Sequence, residues 1–227
     1  MTGHEDFPCD AAVSLAGPAG RLEALTACPP VCVHRTGREE DRAGAATAVI
    51  CHPHSLHGGT LHNKVVHTLA RAFGALGART LRFNFRGVGK SEGAYDRGVG
   101  ETEDLLAVLE WVCARRPQDA LWLAGFSFGA YVALRAAARF PVARLVLVAP
   151  PVPLYDFAAL APRAPALIIQ GEADEVVPAP AVREWAQGLQ PAPQLVSLPG
   201  AGHFFHRRLN ELYDIVLAHL APHRPHA

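Results

Sequence analysis

The chain has 227 residues, 50% of them hydrophobic, and its 21 basic residues balance its 21 acidic ones. A chain of this length buries one substantial core and is shorter than the size at which chains usually divide, so we expect a single domain over residues 1–227 with a flexible tail at 1–10. The balanced charge, without a long run of either sign, gives no indication of a nucleic-acid groove or a basic membrane-binding face.

No segment of the sequence carries a targeting or membrane pattern. Residues 1–6 lack a positive segment followed by an apolar stretch, and no apolar run is long enough to span a bilayer. We therefore expect a cytoplasmic protein without a membrane partner. The five cysteines are odd in number and have no regular spacing, which indicates reduced thiols rather than a disulfide framework, with Cys51 and Cys113 in the core.

Strand-like and helical runs alternate along the chain, which is typical of a parallel sheet with crossover helices. The predicted strands are, in chain order, 12–17, 21–27, 46–51, 80–85, 121–124, 144–148, 166–169 and 194–198. The first two form a hairpin around Pro18-Ala19-Gly20, and charges and glycines predict a surface loop at 35–44. The predicted helices are 63–76, 101–115, one between Ser127 and Pro141, and 207–220.

A serine lies between a predicted strand and a predicted helix in the pattern G-x-S-x-G. The segment Gly125-Phe126-Ser127-Phe128-Gly129 directly follows the apolar run 121–124. A turn this tight requires small residues two positions on either side of the serine, and it leaves the hydroxyl at the amino end of a helix, where negative charge is favoured. Ser127 is therefore the candidate nucleophile, although a glycine-rich turn of this kind also occurs as a simple connection.

A nucleophilic serine of this type needs a carboxylate and a histidine, which follow it along the chain in that order. The loop after strand 166–169 contains Glu172, Asp174 and Glu175. We favour Asp174 as the acid, because Glu172 is too close to the strand end and Glu175 is expected to point to water. The loop after strand 194–198 contains His203, which we favour as the base. Most of the twelve histidines are expected to be surface or core residues without a catalytic role, but His203 follows a strand, as the other two candidates do.

Further sequence blocks accompany these three residues, at 17–23, 51–54, 58–60, 63–66 and 82–93. With them the chain resembles the α/β-hydrolase superfamily, and in particular its small bacterial serine hydrolases, over nearly its whole length. The resemblance implies an α/β fold with an eight-stranded, mostly parallel sheet flanked by helices, and an esterase-like triad of Ser127, Asp174 and His203. The interval at 150–165, where larger members insert a helical lid, is too short for a cap domain.

The tetrahedral intermediate of such a reaction needs two N–H donors for its oxyanion. Phe128, directly after the candidate nucleophile, supplies the first. By analogy with H-G-x loops, the segment at 52–55 supplies the second, with His54 favoured and Ser55 as the alternative. Tyr155 and Phe157 are candidate residues of the substrate pocket, although aromatic residues of surface loops are about as often packing residues.

These residues predict a serine hydrolase, a carboxylesterase-like enzyme that cleaves small carboxylic esters and needs neither a cofactor nor a metal. Thioesterase or cofactor-free haloperoxidase activity stays open, because the same triad supports acyl transfer to several nucleophiles, and so does a non-catalytic binding protein with this fold.

Two other site types are disfavoured by the sequence. Four histidines lie close together, at 52, 54, 57 and 62, but no acidic residue or spaced cysteine completes a metal-ligand set beside them. The segment 86–93 lacks the spacing of a phosphate-binding loop, so nucleotide binding is not indicated. We interpret it as a structural turn in which Arg86 pairs with Glu101 or Asp104.

Overall fold

The computed structural model describes residues 6–29 and 46–221, so the surface loop expected at 35–44 lies outside the described residues. The strands are β1 (Ala12–Gly17), β2 (Gly20–Ala27), β3 (Ala46–Cys51), β4 (Arg79–Phe83), β5 (Ala120–Phe126), β6 (Arg144–Val148), β7 (Ala166–Gly171) and β8 (Gln194–Leu198). The helices are α1 (Lys64–Ala75), α2 (Val99–Arg115), α3 (Phe128–Ala137), α4 (Ala179–Gln187) and α5 (Leu209–Leu220), and a short 3-10 helix covers Ser55–His57.

The strands form one eight-stranded sheet in the order β1-β2-β4-β3-β5-β6-β7-β8. The hairpin partners β1 and β2 are antiparallel, and β2 pairs antiparallel with β4. All other pairs are parallel, so the carboxyl ends of β3 to β8 meet at one edge of the sheet. The prediction of a mostly parallel eight-stranded sheet is confirmed.

Each face of the sheet is covered by helices and has its own hydrophobic core. Helices α2, α3 and α4 pack on one face, where Phe83, Leu105 and Leu134 are buried. Helices α1 and α5 pack on the other, where Phe73, Phe126 and Val216 are buried. Because both faces are covered, the central strands are apolar without alternation, and all six residues of β3 and of β7 are buried.

Three element boundaries differ from those predicted, each for a local reason. Strand β4 ends at Phe83 rather than at residue 85, because the Phe85 N–H donates to a histidine ring instead of to a strand. Helix α2 begins at Val99, two residues early, because the Glu101 carboxylate accepts backbone N–H bonds ahead of the helix. Helix α5 begins at Leu209, since Arg207 has a φ of 62°, which no α-helix admits.

The cysteine prediction is wrong for one pair. Cys9 and Cys28 form a disulfide that links the segment before β1 to the end of β2, whereas Cys51 is a buried free thiol as expected and Cys113 is a half-buried one. A disulfide is typical of oxidising compartments, so this pair does not support the expected cytoplasmic location, which stays a prediction.

The expected tail at 1–10 is wrong for its described part. Phe7 is buried and its ring lies 5.8 Å from that of Trp111 on α2. Phe7 and the disulfide at Cys9 therefore attach this described part to the rest of the domain.

The connection between β6 and β7 carries no cap. Residues 149–165 are all described and contain neither helix nor strand.

None of the described helices is long and apolar enough to cross a membrane.

Candidate active site

Ser127 lies at the turn between β5 and α3, with a φ of 53° and a ψ of −121°. This strained conformation is possible because the flanking glycines allow a close approach of the backbone. A Cβ on Gly125 would lie 2.1 Å from the Gly129 carbonyl oxygen, and one on Gly129 would lie 2.5 Å from the carbonyl oxygens of Cys51 and His52. The turn therefore presses α3 against the end of β3 and places the serine hydroxyl at the carboxyl edge of the sheet.

Three side chains from different loops form a continuous chain of hydrogen bonds at this edge. His203 Nε2 lies 3.0 Å from Ser127 Oγ, and His203 Nδ1 lies 2.8 Å from Asp174 Oδ2. All three residues are buried, with Ser127 and Asp174 each 8% exposed. The structure thus brings together the serine, carboxylate and histidine that were singled out in the sequence.

Asp174 is held by more than the histidine. Its Oδ1 accepts the backbone N–H groups of Val176 and Val177 at 2.9 and 2.7 Å, and its Oδ2 accepts a bond from Gln170 Nε2 at 3.0 Å. Burial raises the pKa of the Asp174 carboxyl, but the bonds from His203 and the two N–H groups outweigh it and hold that pKa below its ordinary value. The carboxylate stays ionised and fixes the proton of His203 on Nδ1, which leaves Nε2 free to accept from the serine.

The loop after β3 is shaped by a buried histidine, His52, which the sequence analysis names only as part of the oxyanion segment and as a possible metal ligand. His52 Nε2 accepts the Phe85 N–H at 3.0 Å, and its Nδ1–H donates to the Pro53 carbonyl oxygen at 2.6 Å. Burial lowers the pKa of His52 to about 4, so the ring is neutral at ordinary pH. Because C=O and N–H point in opposite directions in a trans peptide, holding the Pro53 carbonyl also sets the direction of the His54 N–H.

The two predicted oxyanion donors belong to segments in direct contact. Phe128 is the first residue of α3, where N–H groups have no partner within the helix. The loop carrying His54 approaches α3 through Gly129, and the His54 ring lies 5.2 Å from the Phe128 ring. The role of both N–H groups as oxyanion donors remains a prediction.

Ser127 and His203 line a cavity of about 720 Å³ that opens to solvent. His54, Tyr95, Phe128 and Tyr155 are also in its wall. Tyr155 therefore lies in the cavity of Ser127, where a residue of the substrate pocket was predicted.

Phe157 does not line this cavity, and its prediction as a residue of the same pocket is wrong. It is 4% exposed and packs between the rings of Tyr131 and Trp185 at 5.3 and 5.1 Å. It borders a separate cavity of about 660 Å³ beside α4. The alternative of a packing residue holds for Phe157.

Comparison with known proteins agrees with this architecture. A family model for the alpha/beta hydrolase fold matches residues 54–164. An uncharacterised protein of Rickettsia prowazekii is 34% identical over 206 residues, which cover 86% of this chain and 82% of the relative. The chain belongs to the α/β-hydrolase family.

Solved structures of higher similarity come from the same superfamily. An a/b serine hydrolase without lid from Xanthomonas campestris is 45% identical, with a TM-score of 0.89 and coverage of 98% of this chain and 99% of that one. An alpha-beta serine hydrolase homologue from Coxiella burnetii is 47% identical, with a TM-score of 0.86 and coverage of 95% and 100%.

Two residues that support the site of this α/β-hydrolase escaped the sequence analysis, and the contact made by a third was not foreseen. Gln170 holds Asp174, and the signal that could have identified it is a polar residue in the otherwise apolar end of β7. Tyr95 donates or accepts at His54 Nε2 over 3.1 Å, and no local pattern marks it. Glu175 is exposed, as expected, but its Oε2 also accepts the backbone N–H of His203 at 3.2 Å and so helps to position the histidine loop.

The histidines of the loop after β3 do not converge as a ligand set. Both ring nitrogens of His52 are occupied by protein groups, and His54 uses Nδ1 to accept the Leu56 N–H and Nε2 to contact Tyr95. Within residues 6–29 and 46–221, no three His, Cys, Asp or Glu side chains are grouped closely enough to hold a metal ion. Of the two predicted partners of Arg86, Glu101 and Asp104, the structure shows Asp104, with two side-chain bonds of 2.9 and 2.7 Å.

Proposed function

We propose that this α/β-hydrolase is a serine hydrolase of the carboxylesterase type, which cleaves small carboxylic esters through an acyl-enzyme on Ser127. The observation that carries the proposal is the hydrogen-bonded chain from Asp174 through His203 to the Ser127 hydroxyl, in the wall of an open cavity. The similarity to two solved structures of serine hydrolases supports the same class of reaction.

Acylation begins when Ser127 Oγ attacks the ester carbonyl carbon while His203 Nε2 accepts the hydroxyl proton. The carbonyl oxygen becomes an oxyanion, which the N–H groups of Phe128 and His54 stabilise. When the tetrahedral intermediate collapses, the carbon–oxygen bond to the alcohol breaks, and the alcohol leaves with the proton from His203. Asp174 keeps the histidine in the required tautomer throughout.

Deacylation repeats these steps with water. His203 removes a proton from the water that attacks the acyl group on Ser127, and the second tetrahedral intermediate releases the carboxylic acid as the serine takes the proton back. Because residues 149–165 form no lid, water and short esters reach the serine without a conformational change. This openness favours hydrolysis over chemistry that must exclude water.

The test is hydrolysis of p-nitrophenyl acetate and butyrate by the wild type and by Ser127→Ala, with a chelator control on the wild type. We expect Ser127→Ala to lower kcat by about 10⁴-fold or more, with no effect of the chelator. An inert wild type would favour the binding-protein alternative. Activity that survives in Ser127→Ala but is lost with the chelator would move the site to the histidine loop, and faster turnover of a butyryl thioester than of the matched ester would favour a thioesterase.

A further inference from the structure

The side chains that line the cavity of Ser127 include a positive charge but no negative one. Arg97 and the histidines His54, His57 and His203 are in its wall, and none of the residues that line it is an aspartate or a glutamate. A substrate in this cavity therefore meets one permanent positive charge and no carboxylate.

Arg97 is exposed and has no hydrogen-bond or ion-pair partner in the part of the chain that the structure describes. The nearby carboxylates are occupied elsewhere. Asp96 Oδ2 accepts the Gly100 N–H at 3.0 Å, and both Glu101 oxygens accept backbone N–H groups. The charge of Asp96 and Glu101 also acts on Arg86, and that of Glu101 acts on Tyr155 in the cavity wall.

The turn that carries Arg97 has a strained backbone. The Val99 N–H bonds to the Asp96 carbonyl oxygen at 3.0 Å, and the two central residues have positive φ, 53° at Arg97 and 92° at Gly98, as in a type I′ turn. A positive φ is disfavoured for arginine, whereas glycine or asparagine adopts it readily. Strain of this kind collects at functional sites.

Buried contacts hold the turn in place. The Glu101 carboxylate, which is fully buried, accepts the N–H of Asp96 at 2.8 Å and that of Gly98 at 2.7 Å, one on each side of Arg97. Gly98 packs on the ring of Tyr131, which a Cβ at that position would approach to 2.7 Å. The arginine is thus carried on a fixed support beside the cavity and not on a free loop.

The rest of the cavity mouth is apolar. Leu154, Val176 and Phe204 line it and are 57%, 41% and 41% exposed. Large exposed apolar side chains next to one unpaired cation match a ligand with an apolar body and an anionic group.

We propose that Arg97 selects carboxylic esters that carry a separate anionic group, such as a carboxylate, on an apolar body. The proposal rests on the proposed esterase function. In it the guanidinium binds the anionic group while the scissile ester lies at Ser127, and the apolar mouth contacts the body between them.

The test uses two esters that differ only in charge, 4-butyryloxybenzoate and 4-butyryloxybenzamide. Their 3-substituted isomers vary the distance between the ester and the anionic group. The measured quantity is the ratio of kcat/KM for the carboxylate over that for the amide. We expect Arg97→Gln to lower this ratio about fivefold, the upper range for an exposed ion pair. Arg97→Gly, which relieves the positive φ, should lower it equally, and added salt should lower it in the wild type.

The matched control is Arg163→Gln, which removes the same charge from an exposed arginine just before β7, at the opposite edge of the sheet. This control should leave the ratio at the wild-type value. An unchanged ratio in both Arg97 variants, or an equal fall in the Arg163 variant, would overturn the proposal.

A binding measurement distinguishes failure of the esterase proposal from failure of the Arg97 proposal. If the wild type hydrolyses none of these esters, calorimetric binding of 4-butyryloxybenzoate to Ser127→Ala decides the role of Arg97. A Kd about fivefold weaker after adding Arg97→Gln supports the anion site, and an equal Kd refutes it.

Discussion

Protonation of His52 should destabilise the protein between neutral and mildly acidic pH. The ring is fully buried, accepts the Phe85 N–H at Nε2 and donates from Nδ1 to Pro53. A second proton on Nε2 would face the Phe85 N–H and break that bond. Burial lowers the pKa of His52 from 6.5 to about 4, so the unfolded chain binds this proton more readily than the folded one.

The sign and size of the effect follow from that difference. Because the folded pKa lies below the unfolded one, the stability is fully present above about pH 6.5 and is lost as the pH falls toward 4. One unit of pKa corresponds to about 1.4 kcal/mol, so the loss attributable to His52 between pH 7 and pH 5 is about 2 kcal/mol.

The assay is urea unfolding of the wild type and of His52→Gln at pH 7 and pH 5. Other histidines and the carboxylates contribute equally to both proteins, so the difference between the two losses isolates His52. We expect His52→Gln to be less stable at pH 7 but to lose about 2 kcal/mol less than the wild type on acidification. Leu56→Gln, which introduces the same side chain at an exposed position without a titratable group, serves as the control and should lose as much as the wild type. Equal losses in the wild type and in His52→Gln would refute a neutral, buried His52.

Three further predictions address the site and its support. Asp174→Asn should lower kcat about 10⁴-fold with little change in KM, because the amide no longer fixes the tautomer of His203; a loss below tenfold in steady-state kinetics would contradict this role. Gly129→Ala should lower the free energy of unfolding by about 1–3 kcal/mol, measured in thermal unfolding, since its Cβ would overlap two carbonyl oxygens. Gly74→Ala in α1 is the matched control: a Cβ added there has no neighbouring atom within 4 Å, so it should stabilise the helix by about 0.5–1 kcal/mol. Soluble acetate and butyrate esters should be hydrolysed faster than long-chain emulsions, without a jump in rate at the solubility limit; such a jump would argue for a moving lid.

The central part of the fold was predictable because its signals are local. Strands such as β3 and β6 are short apolar runs bounded by turns, and their bounds match the prediction. The Gly125 to Gly129 pattern likewise lies within five residues, and the chain order of acid and histidine follows from the topology. Parallel strands then bring Asp174 and His203 to the same edge as Ser127.

The errors concern contacts between segments that are distant in sequence. The Cys9–Cys28 pair depends on the segment before β1 lying along the end of β2, which cysteine spacing alone does not indicate. Phe157 was assigned to the wrong cavity because its connection between β6 and β7 has no periodic pattern to fix its direction. Glu175 and Tyr95 act through single long-range hydrogen bonds that leave no local signal.

The most direct test of the central claim is to trap the acyl-enzyme. The wild type is mixed with p-nitrophenyl acetate, quenched in acid during the pre-steady-state burst, digested and mapped by mass spectrometry, with Ser127→Ala treated in parallel. The account predicts one acetyl group per chain, located on Ser127, and none in the variant. An acetyl group on another residue, or a burst of equal size in Ser127→Ala, would contradict the assignment of Ser127 as the nucleophile.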